Sequence, residues 1–372
     1  MDMLWGLIEL GIDADCFSQT MPVCDYSEEQ LSLLCDSCKQ ADIALSQRFS
    51  VVIAEACHRT GCIYISWIWD SPQRELYLEE AKYDTNRIFV FDRCQLKRMQ
   101  EFGIGNIYYE PLATNVTRTS TIVIDEAELA RYGHDVSFVG SMKYNENRRE
   151  SVRRLGELTG GASERLLQDK IGHWGRNDRF YDRAPEDVLR IAGGMIRRTE
   201  RADRCIPESY LTETMLADEI SYLDRVEMIN AVAGKYDLAL FTELNETGND
   251  LSDRVKVFPR VSYDQEMPKI FNVSGINLNL TKISIESGVP LRVFDILGVG
   301  GFALTDEKEE LYEIFDVGKE LDVYTCVEEL KDKIGYYLQH ETIRKQIAYN
   351  GYCRVRENYT YPKAVERMLQ KA

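Results

Sequence analysis

Residues 277–306 read NLNLTKISIESGVPLRVFDILGVGGFALTD, and the order of features within them predicts strand, turn, helix, strand. Residues 277–281 are short and β-prone. Ser287 and Gly288 supply capping and turn chemistry, and Pro290 suits the first turn of a helix. That helix continues through 292–297 until Gly298, Gly300 and Gly301 stop it, and 302–305 run on as a buried strand. A dinucleotide fingerprint places its glycines after a strand and before a helix. Here they follow the helix, so they are turn-makers, which argues against a nicotinamide-dependent dehydrogenase. The expected anion site is the start of the helix, residues 288–292, where free peptide N–H groups and the helix dipole favour negative charge. Arg292 adds a guanidinium that can fork onto phosphate oxygens. Asp295, three residues on, shares its face and can accept hydrogen bonds from the two hydroxyls of a ribose. The same two residues can equally form an ordinary helix-surface ion pair of little energetic consequence.

The chain has 372 residues, which suits two domains better than one core. No run of roughly 18 apolar residues occurs, so no membrane-spanning helix is expected. The opening MDMLWGLIELGID has neither a basic stretch nor a small-residue cleavage site, and a cytoplasmic location is expected. A net charge of −17 argues against a general nucleic-acid binder and against adhesion to anionic membrane. An anionic ligand must then rely on local positive groups, which raises the interest of Arg292 and Lys143. Ten cysteines are scattered along the chain and are expected as reduced thiols. Cys35-x-x-Cys38 has no second pair, and Cys57-His58 with Cys62 is equally weak, so no metal site is expected.

From the beginning, residues 4–10 have helical spacing, 14–17 suit a short strand, and 28–40 read as an amphipathic helix with Leu31, Leu33 and Leu34 inward. Residues 42–46 predict a strand, 50–59 a helix closed by Gly61, and CIYISWIWD at 62–70 an apolar strand stopped by Ser71-Pro72. Residues 87–91 are a further strand, Asp92 caps a helix to Gly103, and 106–109 close the series. Strands and helices alternating at this spacing imply right-handed crossovers and a parallel sheet. Ligands sit beyond the carboxyl ends of such strands, which places Asp70, Asp92 and the loop from Pro111 to Asn115 on one rim. Asp70 can orient or deprotonate an acceptor hydroxyl, or simply cap the Ser-Pro turn. His58, within a helix, is a further acceptor-side candidate or a surface histidine. Residues 116–135 read as an irregular connector. VSFVGSM at 136–142 begins a second strand series, with Gly140, Ser141 and Lys143 in the turn after it. Residues 150–232 are mostly helical and charged, and Arg197, Arg198, Arg201 and Arg204, offset by Glu200 and Asp203, read as a solvated face. Residues 236–242 predict the next buried strand, and Glu266 starts a helix.

NLNLT, SGVPLRVFDILGVGGFALTD, LYEIFDVGKELDVY and NGYCRVRENYTYPKAVERML resemble the C-terminal half of the spore-maturation CgeB-like glycosyltransferases. FSVVIAEACHRTGCIYISWIWDSPQ and NIYYEPLATN resemble their N-terminal domain. These proteins resemble glycosyltransferase family 4 and share the GT-B fold, an α/β architecture of two Rossmann-like domains whose parallel sheets face a cleft. The resemblance implies an acceptor-side domain over 1–120, a donor domain over 121–352 and a final helix within 353–372 that crosses back to the first domain. Relatives begin with a central strand and small-residue loop before the first helix; this sequence opens close to that helix, so either the first sheet lacks that strand or the sequence starts late relative to the family. Asp295 takes the place of the family glutamate that holds the donor ribose, and Glu286 stands nine residues before it, where the family spacing is eight. Family members tend to carry arginine where Ile283 stands, beside the basic Lys282.

The implied activity is transfer of a sugar from a nucleoside-diphosphate sugar, UDP-type, without metal or resident cofactor and with retention. The acceptor would be a glycan, a protein or a small molecule. The implied donor contacts are Gly140, Ser141, Lys143, Asn279, Thr281, Lys282, Glu286, Arg292 and Asp295. The acceptor side would be His58, Asp70 and Asn115, with Asp70 and Arg292 as catalytic groups. The alternative is a catalytically degenerate relative that only binds a nucleotide sugar or a partner.

Overall fold

The structure, a computed structural model, describes residues 2–17, 19, 21–142, 146–170, 184–195, 206–244 and 250–372. The first half runs α1 Asp2–Glu9, α2 Glu28–Cys38, β1 Ile43–Ser46, α3 Val51–Thr60, β2 Ile63–Ile68, β3 Asn86–Val90, α4 Arg93–Glu101 and β4 Ile107–Tyr109. Its four strands form one parallel sheet in the order β1-β2-β3-β4. Local chemistry marks the helix ends: Ser27 and Gln30 make a capping box, and the Asp92 carboxylate accepts from Gln95 N–H. At Gly61, φ of 76° gives the left-handed turn that closes α3. Residues 14–17, expected as a strand, form none, and the first sheet begins at β1.

Pleating sends alternate side chains of this sheet to opposite faces. Tyr64, Ile68, Ile88 and Val90 meet α2, α3 and α4 residues in one core. Ile65, Trp67, Phe89 and Phe91 meet Met3 of α1 and Tyr361, Ala364, Val365 and Met368 near the C-terminus in another.

The chain continues with α5 Glu126–Tyr132, β5 Val136–Val139, α6 Glu146–Leu158, α7 Ala162–Lys170, α8 Glu186–Met195, α9 Glu208–Ala233, β6 Leu238–Phe241, β7 Lys256–Phe258 and α10 Met267–Val273. It ends with β8 Ile276–Asn279, α11 Leu291–Gly298, β9 Ala303–Asp306, α12 Leu311–Ile314, β10 Asp322–Tyr324, α13 Val327–Gln339, α14 Glu341–Asn358 and α15 Tyr361–Leu369. Six of these strands form a second parallel sheet, in the order β10-β9-β8-β5-β6-β7. The 116–135 connector is more ordered than its sequence implied: Asp125 and Glu128 form a reciprocal capping box that starts α5.

One face of the second sheet packs Val136, Phe138, Leu240, Leu278 and Leu304 against Met228, Ile229 and Val232 of α9 and Leu330 and Ile334 of α13. The other face presents Val139, Phe241 and Ala303 to α10 and α11, in the same core that contains Trp67 and Phe91 of the first sheet. A continuous apolar core thus joins the two sheets. Helix α15 lies against the first sheet: the Tyr361 ring meets both Trp67 and Trp69 at 5.9 Å, and Arg367 forks onto the buried Glu110 carboxylate.

Helix α9 is the second connection. Near its start, Tyr210 packs on Tyr77 at 5.2 Å in the outer core of the first sheet. Its middle, Met215, Leu216 and Ile220, packs on α6 and α8, and its end on the second sheet. Twenty-six residues reach about 39 Å at 1.5 Å per residue, enough to span both sheets.

Candidate functional site

In the second sheet the chain lays β5, β6 and β7 outward in one direction, then returns to lay β8, β9 and β10 in the other. The order reverses between β5 and β8. In open α/β sheets such a reversal leaves a crevice beyond the carboxyl ends of the strands. Gly140 and Ser141 follow β5; Leu280, Thr281 and Lys282 follow Asn279 at the end of β8.

A residue that the sequence did not single out joins the two loops. Arg225, in the last third of α9, donates from Nη1 to the Ser141 carbonyl (2.7 Å) and from Nη2 to the Leu280 carbonyl (3.2 Å). Its guanidinium lies 5.8 Å from the Phe138 ring centre, and its buried Nε–H has no partner among the described residues. Burial pushes this guanidinium below its usual range; the Asp306 carboxylate opposes that, and the positive charge of Arg292 adds to it.

Asp306, at the end of β9, shapes the β8 loop. It accepts from Thr281 N–H (2.9 Å) and Thr281 Oγ1 (2.6 Å). Asn279 Nδ2 donates to Thr281 Oγ1 (3.0 Å) and to Thr305 Oγ1 (2.9 Å). Lys282 pairs with Asp218 of α9 at 2.6 Å. The structure thus brings Ser141, Asn279, Thr281 and Lys282 around one crevice mouth, and Gly140 packs there so closely that a Cβ would lie 2.5 Å from the Phe138 ring. Lys143, and the cluster Arg197, Arg198, Arg201 and Arg204, lie outside the described residues.

The loop that leads into the expected phosphate position, residues 288–292, is bonded to the first half of the chain. Glu286 N–H (2.7 Å) and Ser287 N–H (3.3 Å) both donate to Asp92 Oδ2 from the first sheet. Ser287 Oγ bridges Asp92 Oδ1 (3.1 Å) and Glu310 Oε1 (2.7 Å). A Cβ on Gly288 would sit 2.7 Å from the Phe91 carbonyl, so the loop lies flush on the opposing sheet. A protein carboxylate thus takes the two N–H groups that immediately precede the expected phosphate position. Glu310 completes the seam by accepting from Arg93 N–H (2.8 Å) and the Tyr109 hydroxyl (2.6 Å), and its burial raises its pKa. Glu286 itself pairs with Arg98 of α4, which also faces Glu213 of α9 at 3.6 Å.

Arg292 does not face bulk solvent: its side chain is 29% exposed, touches Met267 Sδ and lies 5.5 Å over the Phe271 ring. Asp295 is 4% exposed, with Oδ2 at 4.0 Å from Arg292. Its Oδ1 accepts hydroxyls from Thr114 (2.9 Å) and Tyr263 (2.9 Å). Burial raises its pKa, while Arg292 pulls the other way. In this arrangement Asp295 ties α11 to the 112–115 segment, so a sugar hydroxyl would have to displace a protein hydroxyl to reach Oδ1.

The acceptor-side residues divide. Asp70 stands on the carboxyl rim of the first sheet, 63% exposed and 3.5 Å from Arg48. Asn115 is engaged with Asp2 of α1 (3.2 Å) and accepts from Thr117 N–H (3.1 Å). His58 lies elsewhere: near the end of α3 it stacks on Tyr83 at 4.0 Å, just before β3 begins. Helix α3 runs back antiparallel to the strands, so this is the opposite end of the sheet from Asp70. We leave His58 out of the site.

Residues 225–370 match the glycosyl transferase-like family. The fold is that of the GT-B glycosyltransferases. HepE of Anabaena solved with UDP and glucose has a TM-score of 0.55 at 9% identity, over 92% of this chain and 82% of that one. HepE solved with UDP-glucose gives 0.51 at 11% identity, over 92% and 81%. Sucrose-phosphate synthase of Thermosynechococcus elongatus gives 0.50 at 10% identity, over 92% and 77%. No curated protein matches the sequence. The family match begins at Arg225 and takes in Asn279, Arg292, Asp295 and Asp306, and with them most of the switch-point crevice. No described helix is long and apolar enough to cross a membrane.

Proposed function

We propose that the protein is a CgeB-like glycosyltransferase that takes a sugar from a UDP-type nucleotide sugar and transfers it, with retention, to a glycan, protein or small-molecule acceptor in the cytoplasm. The observation that carries this reading is Arg225, which spans the two loops of the switch point with its Nε–H buried and unpartnered. Departure of a nucleoside diphosphate builds negative charge on the leaving group, and preorganised donors aimed at that charge lower the barrier. Arg225 and Arg292 supply it from the protein, so the reading calls for no metal. Ser141 and Thr281 line the crevice beside Arg225, and Lys282 stands at its mouth. Asp70, exposed on the facing rim, is the candidate to orient the acceptor hydroxyl. UDP and UDP-glucose in the HepE structures support the donor class. Nine described cysteines, all free thiols, support a reducing compartment.

A second reading has its own support. Asp92 occupies the loop N–H groups and Thr114 holds Asp295, as a protein that binds a nucleotide sugar without turning it over could tolerate. Incubation with UDP-, GDP-, ADP- and dTDP-sugars, followed by assay of released nucleoside diphosphate, separates the two. The expected result is UDP release, reduced about 100-fold in Arg225→Gln, in line with the loss of one charge-stabilising donor. Binding of UDP without release from any donor would establish the second reading. Neither binding nor release would end both.

A further inference from the structure

The cysteines that sequence spacing left as two unrelated pairs converge in space. Cys38 ends α2, Cys57 lies in the last turn of α3, and Cys62 follows the Gly61 turn into β2. Helices α2 and α3 pack together against the outer face of the first sheet. The left-handed turn at Gly61 (φ 76°) reverses the chain, so that Cys62 returns to the level of Cys57. All three residues are buried, and their Sγ atoms lie within 4.8 Å of one another. Cys38 Sγ and Cys57 Sγ are 3.7 Å apart.

That spacing has a chemical meaning. A zinc–thiolate bond is about 2.3 Å, so tetrahedral ligation sets sulfurs about 3.8 Å apart and trigonal ligation about 4.0 Å. A disulfide needs about 2.05 Å. The Cys38–Cys57 pair therefore stands at the separation a bound ion requires, the third sulfur lies within 4.8 Å of both, and the cluster holds no carboxylate or imidazole. A donor set of thiolates alone selects soft, thiophilic ions over Mg(II) or Ca(II). Cys35 lies one helical turn before Cys38 and is half-buried, so the same helix face offers a fourth sulfur. Cys62 Sγ now lies 3.5 Å from the Ala41 carbonyl and 3.6 Å from that of Asp42, weak thiol contacts that a metal bond would replace.

We propose that Cys38, Cys57 and Cys62 form a thiolate site for one d10 thiophilic cation, Zn(II) or Cu(I). Each ligand forms by loss of its thiol proton to solvent, and no electron moves. The ion would staple the end of α2 to α3 and to the start of β2. The site lies on the outer face of the first sheet, apart from the switch-point crevice, and does not depend on the proposed transferase activity.

The test uses the full chain, purified under a non-thiol reductant, unfolded, stripped of metal and refolded with Zn(II) against a chromophoric chelator or with Cu(I) against bicinchoninate. One equivalent of one ion is expected to resist the chelator, and the two arms tell which. Mass spectrometry of alkylated peptides gives a readout on the unaltered chain: the ion should shield Cys38, Cys57 and Cys62 but not the exposed Cys16. Cys57→Ala and Cys62→Ser should each weaken retention by more than about 100-fold, beyond what changes to residues that only hydrogen-bond the ligands cost, whereas Cys16→Ser should not. The proposal is overturned by failure to retain either ion, by retention that survives Cys38→Ser combined with Cys57→Ala, or by a Cys38–Cys57 disulfide formed without ion uptake.

Discussion

A carboxylate as deeply buried as Asp295 costs free energy when ionised, and its neighbours only partly offset that cost. Burial raises its pKa against the pull of Arg292. Because the folded value lies above the unfolded one, near 3.9, the favourable contribution is complete below about pH 4 and is lost as pH rises through the folded value. At neutral pH the ionised group is therefore a burden. Asp295→Asn keeps an acceptor oxygen for Thr114 and Tyr263 and removes the charge. Its melting temperature should exceed that of the unaltered protein at pH 7.5 by the equivalent of about 1 kcal/mol, with the gap closing toward pH 4.5. A variant equally destabilised at both pH values would show that the Arg292 pairing outweighs burial. At this scale sequence reading reached only part of the site. Arg292 and Asp295 stood out because a helix start and an i, i+3 spacing are local signals. Arg225 did not, because its importance comes from two strand ends, in loops distant in sequence, arriving on either side of one guanidinium. The cysteine cluster was hidden for the same reason, since neither short motif had a partner within reach along the chain.

Elements were more legible, because periodicity and caps act within a few residues. The β8–α11–β9 unit was read with its ends misplaced by about one or two residues, and Asp92 was recognised as the cap of α4. Two features escaped. Helix α5 is short and sits in a stretch whose polar, irregular composition reads as connector, although its Asp125/Glu128 capping box is written in the sequence. Helix α9 showed no clean apolar stripe because it packs against both sheets and against α6 and α8 in turn, so its apolar residues point all round. What no periodicity could show is that the loop before α11 rests on the first sheet. Gly288→Ala tests that contact. Its Cβ would meet the Phe91 carbonyl at 2.7 Å and Asp92 Cα at 3.0 Å, backbone atoms that cannot rotate aside. The loop must lift, loosening its hydrogen bonds to Asp92, at a cost of about 1–3 kcal/mol. Thermal melts should show the loss, and hydrogen exchange should quicken at residues 284–290 and at the start of α4. Unchanged exchange at both places would mean that the seam tolerates a gap there.

For the whole molecule, the fold class was visible in the alternation of strands and helices, but the intimacy of the two sheets was not. Interfaces between domains of one chain are commonly modest and polar, whereas here Trp67 and Phe91 share a core with Phe241, Phe294 and Ala303, and α9 and α15 reinforce it. Two sheets held this way should unfold together. Three of the four tryptophans, Trp5, Trp67 and Trp69, belong to the first half, so their emission reports that half, while far-UV circular dichroism reports every helix. Coincident midpoints are expected, and two separated transitions would refute the shared core. The switch-point crevice adds a sharper form of the experiment, because its residues belong to the second half. UDP at 100 times its Kd should stabilise the protein by about 2.7 kcal/mol, which for a chain of this length corresponds to about 3 °C. If unfolding is shared, tryptophan emission must move by the same amount as circular dichroism although no described tryptophan lies at the crevice. A shift confined to circular dichroism would show that the nucleotide holds one half together while the other melts independently.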